Sequence, residues 1–216
     1  MPARALTGYY AILDIPDSTL SGSDQLDERA AQLLAAGPCC LQLRAKRLGA
    51  ADLRAAAARV LPLCRAAGVP FCVNDRLDVA LSVGADFVHV GQDDLPLPEV
   101  RRLAGARLGV GVSTHNPEQA RAAVDGGADY IGFGPVFGTR SKENPDPVVG
   151  LPALRAVSSF GRGAGVPVVA IGGIDLDTVT EVAGAGASAA AVISAVDRAP
   201  DRTAAGRSVA AAFGSG

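Results

Sequence analysis

Eight short apolar runs alternate with eight Ala- and Leu-rich helical stretches along 216 residues. Polar residues gather after nearly every run rather than at one point. Together these features predict a single (β/α)8 TIM barrel over residues 1–216. The runs are almost continuously apolar, as expected of parallel strands buried on both faces. One βα unit takes about 27 residues, near the lower size limit of such a barrel. A doubly wound open sheet ranks second, because it would concentrate its polar residues at a single switch point.

The first run, Tyr9–Asp14 (YYAILD), leads to a helical stretch at Asp24–Ala36. Cys39–Lys46 (CCLQLRAK) is followed by Ala50–Ala67, and Pro70–Asp75 (PFCVND) by Arg76–Val83. Phe87–Gly91 (FVHVG) precedes Pro98–Ala104, and Leu108–Ser113 (LGVGVS) precedes Pro117–Gly126. Tyr130–Val136 (YIGFGPV) is paired with Leu151–Phe160, and Pro167–Gly173 (PVVAIGG) with Asp175–Ala183. Ala189–Ala195 (AAAVISA) is the last run, before Asp201–Phe213. Gly37-Pro38, Gly68-Val69-Pro70 and Gly165-Val166-Pro167 are helix stops, with Gly near the C-terminus and Pro ahead of the next strand. Asn116-Pro117 is a helix start, Asn as cap and Pro in the first turn. Three segments echo one another, beginning Gly84-Ala-Asp, Gly127-Ala-Asp and Gly186-Ala-Ser, and read as one recurring helix-exit and strand-entry module.

Composition narrows the class further. Hydrophobic residues make up 49% and charged residues 19%, which excludes disorder. Aromatics reach only 4% while there are 26 Gly, suggesting small-residue packing with close backbone approach. A net charge of −2 argues against a nucleic-acid partner. The longest uncharged run, Val182 to Val196, is too short to span a membrane. The N-terminal stretch has no secretory pattern, so a cytoplasmic protein is expected. Cys39, Cys40, Cys64 and Cys72 contain no C-x-x-C pair, and read as four buried, reduced core residues rather than a zinc site. Oligomeric state stays open, a homo-oligomer included.

In this barrel the chemistry sits at the C-terminal strand ends. Gln42, Arg44 and Lys46 recur at period two, so one face of the second strand carries an amide and two cations inward. That pattern describes a phosphate or pyrophosphate clamp, with a polar barrel layer of internal ion pairs as the alternative. Asn74-Asp75 ends the third run, and Gln92-Asp93-Asp94 follows the fourth. Alone, Asp75 reads as a helix N-cap and Asp93-Asp94 as a turn. Beside the cationic strand they read instead as hard oxygen donors for Mg²⁺. After the sixth run, Gly134 to Pro147 is a long polar loop carrying Thr139, Arg140, Ser141 and Lys142, of the kind that serves as a functional lid. Gly172-Gly173 after the seventh run, with a helix start after the eighth, reads as a second phosphate site. His89 reads as a satisfied core residue, and His115 is left undecided. Two phosphorylated ligands, one bearing a pyrophosphate leaving group, fit this inventory.

In their order, QLRAK, VND, HVGQDD, GVSTHN, GPVFGTRSK, AIGGI and VISA resemble the thiamine phosphate synthase family, from about Tyr9 to Ala195. The resemblance implies a barrel transferase that joins hydroxymethylpyrimidine pyrophosphate to thiazole phosphate. Thiamine phosphate and pyrophosphate form with Mg²⁺, through dissociative loss of pyrophosphate. By motif it places Gln42, Arg44, Lys46, Asn74 and Lys142 on the pyrimidine pyrophosphate, and Asp75 and Asp94 on Mg²⁺. Ser113, Thr139 and Ser141 fall near the reacting ligands; Gly173, Ile193 and Ser194 fall at the thiazole phosphate. Arg44, Lys46, Lys142 and Ser113 are the residues it implies in catalysis. Ser141 stands where the family commonly has Thr, Gly138 where it has Pro, and Ala45 where Glu is frequent. The related thiazole tautomerase typically carries His where Pro135 stands and often lacks the aspartates, so Pro135, Asp75 and Asp94 favour the synthase. A catalytically silent ligand-binding barrel is disfavoured because neither a clamp cation nor a metal aspartate is lost.

Overall fold

The computed structural model describes residues 6–15, 24–138 and 146–214. Eight strands close in chain order into one parallel barrel: β1 (Gly8–Asp14), β2 (Cys40–Arg44), β3 (Phe71–Asn74), β4 (Phe87–Val90), β5 (Gly109–Thr114), β6 (Tyr130–Phe133), β7 (Val168–Ile171) and β8 (Ala189–Val192). Closure is made at β1, where Tyr10 is in register with Cys40 of β2 on one side and Ala191 of β8 on the other. The open-sheet alternative is thereby ruled out. Outside lie α1 (Asp24–Leu34), α2 (Ala50–Ala67), α3 (Leu77–Val83), α4 (Leu97–Ala104), α5 (Pro117–Asp125), α6 (Gly150–Ala164), α7 (Val179–Gly184), α8 (Ser194–Asp197) and α9 (Arg202–Ala211). Among the described residues no helix is long and apolar enough to cross a membrane.

Several boundaries differ from the sequence pattern for identifiable reasons. α6 continues past Phe160 through Gly161, where a Cβ would come 2.7 Å from Val168 and 2.8 Å from the Val166 carbonyl oxygen. That glycine lets the helix lie close on β7 instead of ending it. α7 begins at Val179 and not at Asp175, because the Asp175 carboxylate accepts the Thr178 backbone N–H at 2.9 Å and its hydroxyl at 2.7 Å. Such local bonds compete with helix formation. Cys40, Cys64 and Cys72 are buried free thiols as expected, but Cys39 is only half-buried.

The three echoed segments have a common physical role. Asp86 accepts the backbone N–H of Phe71 at 2.8 Å, Asp129 that of Val110 at 2.7 Å, and the Ser188 hydroxyl that of Val168 at 3.3 Å. Each side chain thus captures an N–H at the start of the preceding strand. Gly84, Gly127 and Gly186, two residues earlier, all have positive φ, which only glycine adopts freely. Their carbonyls accept from Arg65, Arg101 and Arg162 on the outer helices. One module therefore ties helix, turn and strand pair at β3–β4, β5–β6 and β7–β8.

Strand alternation divides the core. Leu41, Leu43, Phe71, Val73, Ile131 and Phe133 face the helices, while Tyr10, Ile12, Cys40, Cys72, Tyr130 and Val169 fill the barrel. Two interior aromatics, Phe87 and Tyr130, are seated against glycines. A Cβ at Gly109 would come 2.3 Å from the Phe87 ring, and one at Gly111 would come 2.1 Å from Tyr130 Cζ. Because neither strand nor ring has anywhere to go, Gly111→Ala is expected to destabilise the protein by about 2 kcal/mol. Denaturant unfolding measures this; wild-type stability in the variant would show that Tyr130 can move away.

Candidate active site

The C-terminal ends of the strands surround a cavity of about 800 Å³. A second cavity of about 700 Å³, bordered by Thr7, Arg162 and Phe213, includes none of the candidate catalytic, binding or metal residues.

β2 delivers the first functional group of the mouth. Its alternation turns Gln42 and Arg44 toward the cavity, and Lys46 follows just beyond the strand end. Gln42 is 4% exposed and donates from Nε2 to the Tyr10 hydroxyl at 3.0 Å. Arg44 is ion-paired with Asp14, its register partner on β1. Asp14 was not apparent as a site residue, because only the strand register shows which carboxylate meets the arginine. The internal ion pair and the inward cations are therefore both present. A guanidinium has five N–H donors, so the bond to Asp14 orients Arg44 and leaves donors for an anion.

Asp75 and Asp94 come from consecutive strand ends and lie side by side on the β3–β4 side of the mouth. Asp75 does not cap α3: the helix starts at Leu77, and Arg76 is its cap residue without a side-chain bond. Instead Asp75 sits at φ 63°, with its N–H donating to the His89 carbonyl at 2.7 Å. Left-handed backbone at a non-glycine residue is uncommon and here turns the carboxyl into the cavity. Asp94 is held from below, its Oδ2 accepting the Gly91 N–H at 2.7 Å. Burial, and then the facing Asp94 carboxylate, push the Asp75 carboxyl up to about 6, against the opposing pull of Lys46 and Arg44.

The remaining predicted residues divide cleanly. Asn74 and Ser113 line the cavity, as do Gly173, Ile193 and Ser194 on the β7–β8 side. Ser194 is the first residue of the short helix α8. Thr139, Ser141 and Lys142 lie outside the described residues. His89 is satisfied, as expected of a core residue, yet it also lines the cavity: Nδ1 is 2.9 Å from the Tyr130 hydroxyl and Nε2 is 2.8 Å from Ser113 Oγ. Gln92, given no role of its own in the sequence, donates to the Ser113 carbonyl at 2.6 Å. His115 bridges the Gly134 carbonyl and Asp146 at the rim.

A (β/α)8 barrel whose strand ends carry paired cations, facing carboxylates and a glycine-backed rim defines an enzyme of small phosphorylated substrates. Residues 10–196 match the family described as thiamine monophosphate synthase. The chain is 46% identical over 211 residues to the thiamine-phosphate synthase of Anaeromyxobacter dehalogenans (strain 2CP-C), covering 98% of this chain and 90% of that protein. It is 45% identical over 201 residues to the thiamine-phosphate synthase of Roseiflexus sp. (strain RS-1), covering 93% and 84%. A solved thiamine phosphate pyrophosphorylase from Pyrococcus furiosus superposes with a TM-score of 0.84 at 33% identity, covering 98% of this chain and 97% of that one. The chain belongs to the thiamine monophosphate synthase family, whose named members are transferases.

The facing carboxylates make a prediction about the protein without metal. A carboxyl raised to about 6 costs folding stability as pH climbs from the ordinary carboxylate range to that value, and the full cost is present above it, because the folded state must then bury a charge beside that of Asp94. Asp75→Asn removes the repulsion, and Asn tolerates left-handed backbone. In chelator, the variant should melt higher than wild type at pH 8, and this gain should shrink at pH 5, where Asp75 is protonated. Equal melting temperatures at pH 8 would mean that the two carboxyls do not oppose one another.

Proposed function

We propose that this chain condenses 4-amino-2-methyl-5-hydroxymethylpyrimidine pyrophosphate with thiazole phosphate, giving thiamine phosphate and pyrophosphate. The observation that carries this reading is the adjacency of an inward cationic strand, Arg44 and Lys46, to the facing carboxylates Asp75 and Asp94 in one cavity. Family membership supports the same reaction.

Asp75 and Asp94 would hold Mg²⁺. Both are hard oxygen donors, and the repulsion that, after burial, raises Asp75 would be relieved by a divalent cation held there. Mg²⁺ commonly takes one or two carboxylates and completes its shell with substrate phosphates, so a third protein ligand is not required. When bound, such an ion would supply positive charge to offset what builds on the departing pyrophosphate.

The chain's own residues do the rest. Arg44 and Lys46, with Lys142 and Asn74, bind the pyrophosphate and stabilise it as the C–O bond to the pyrimidine CH₂ breaks and the oxygen keeps the electron pair. The thiazole nitrogen then donates its lone pair to that carbon and becomes a thiazolium, so atoms and charge balance with no proton transfer. Gly173, Ile193 and Ser194 hold the thiazole phosphate opposite, and Gln42, Ser113, Thr139 and Ser141 orient the reacting groups. Orientation matters because bond breaking leaves a cation that water would otherwise capture.

Purified protein given both substrates and Mg²⁺ should release pyrophosphate and form thiamine phosphate, and excess EDTA should stop it. No product under the first condition sinks the reading. Arg44→Ala should lower kcat/KM for the pyrimidine substrate about 100-fold, the scale of a lost charge-assisted contact. Ser194→Ala should instead raise the KM for thiazole phosphate about tenfold with little change for the pyrimidine substrate. The reverse pattern would exchange the two subsites.

A further inference from the structure

Below the mouth a hydrogen-bonded chain crosses the barrel interior. Gln42 Nε2 donates to Tyr10 Oη at 3.0 Å, and Tyr10 Oη is 2.7 Å from Tyr130 Oη. Tyr130 Oη is 2.9 Å from His89 Nδ1, and His89 Nε2 is 2.8 Å from Ser113 Oγ. The chain therefore joins β2, β1, β6, β4 and β5, and ends on a hydroxyl that lines the cavity.

Its direction follows from counting protons. Burial holds both phenols protonated, so each has one proton to donate. Tyr10 already accepts from Gln42, and the Tyr130 oxygen is a far better acceptor for its proton than a nearby thiol. Tyr130 then has its own proton left for His89 Nδ1. A neutral imidazole that accepts at Nδ1 carries its proton at Nε2. Nε2–H can only donate to Ser113 Oγ, which leaves the Ser113 proton for an acceptor in the cavity. Gly132 leaves room for the ring, since a Cβ there would come 3.1 Å from His89 Cε1, and the bonds at both nitrogens hold it.

We propose that Tyr130 is a positioning residue, which with Tyr10 sets His89 as the Nε2–H tautomer and turns the Ser113 hydroxyl into the mouth as a donor to the bound pyrimidine. This rests on the reading of the mouth as the pyrimidine pyrophosphate site. Ser113 would contact the substrate; Tyr10, Tyr130 and His89 act through it.

Two measurements on the full chain test this. The sequence has only two histidines, so ¹⁵N-histidine NMR can assign His89 directly. The expected spectrum has an unprotonated Nδ1 and a protonated Nε2, changing in Tyr130→Phe. A protonated Nδ1 in the wild-type protein overturns the proposal. The second measurement is a double-mutant cycle. Tyr130→Phe should lower kcat/KM for the pyrimidine substrate about tenfold and leave the KM for thiazole phosphate unchanged. On a Ser113→Ala background the same substitution should cost nothing further, whereas equal losses in both backgrounds overturn the relay. If Tyr130→Phe does not fold, Tyr10→Phe interrupts the chain one link earlier and carries the cycle. A wild-type protein that makes no thiamine phosphate defeats the functional reading, while the tautomer still decides the direction of the chain.

Discussion

Tyr130 can lie across the barrel interior only because position 111, on the neighbouring strand, has no side chain. Eight parallel strands enclose little volume, and layers of side chains must fill it without voids. Several interior positions are small, Ala189, Ala191, Cys40 and Cys72 among them. Tyr130 takes up the remaining space and contacts Tyr10, Phe87 and His89, with ring centroids 5.8, 5.7 and 5.4 Å away. An aromatic-poor, glycine-rich composition is thus a packing solution: few interior rings, of which Phe87 and Tyr130 are each set into a glycine gap. Because two of these rings carry hydroxyls, the same packing makes the floor of the cavity polar.

The mouth above that floor is organised by register. Parallel pairing sets Asp14 beside Arg44 and Asn74 beside His89. Each ordered pair reaches the cavity because both strands run the same way and end at the same height. A near-neutral net charge hides this local arrangement. Cations sit on the β2 side, carboxylates on the β3–β4 side, and the glycine rim on the β7–β8 side, so a ligand with both phosphate and metal-binding oxygens meets complementary charge without crossing the barrel.

Much of this was legible in the sequence. Strand identity, their order and the inward face of CCLQLRAK follow from period and punctuation, and Gln42, Arg44, Asp75, Asp94 and Ser194 fall at the cavity as those patterns imply. What periodicity cannot supply is contact between strands. Asp14 looked like the end of a run, and its partner emerged only once β1 and β2 were in register. His89 looked like a core residue because its own strand is apolar on either side; that it supports Ser113 depends on β4 and β5 being neighbours. The echoed Gly-Ala-Asp segments were visible as a repeat, but their function in capturing a strand N–H was not. It requires knowing that Asp86 lies beside Phe71, fifteen residues earlier.

The glycine pair after β7 shows why one sequence feature can carry two duties. Gly172 and Gly173 read as a phosphate rim, and Gly173 does line the cavity. Their positive φ values, 95° and 67°, also permit close approach of the chain leaving β6. A Cβ at Gly172 would come 2.4 Å from Pro135, and one at Gly173 would come 2.5 Å from the Gly138 carbonyl oxygen. The backbone confirms the contact: Val136 N–H donates to the Ile171 carbonyl and Phe137 N–H to the Gly172 carbonyl, each at 2.9 Å. β6 and β7 therefore remain joined beyond the formal end of the sheet. Val149 N–H, on the far side of that loop, returns to the Pro135 carbonyl at 2.8 Å. Both described ends of the segment that carries Thr139, Ser141 and Lys142 are thus fastened at the rim. Any side chain at the two glycine positions would separate the glycine rim from the loop base, so the packing that shapes one holds the other.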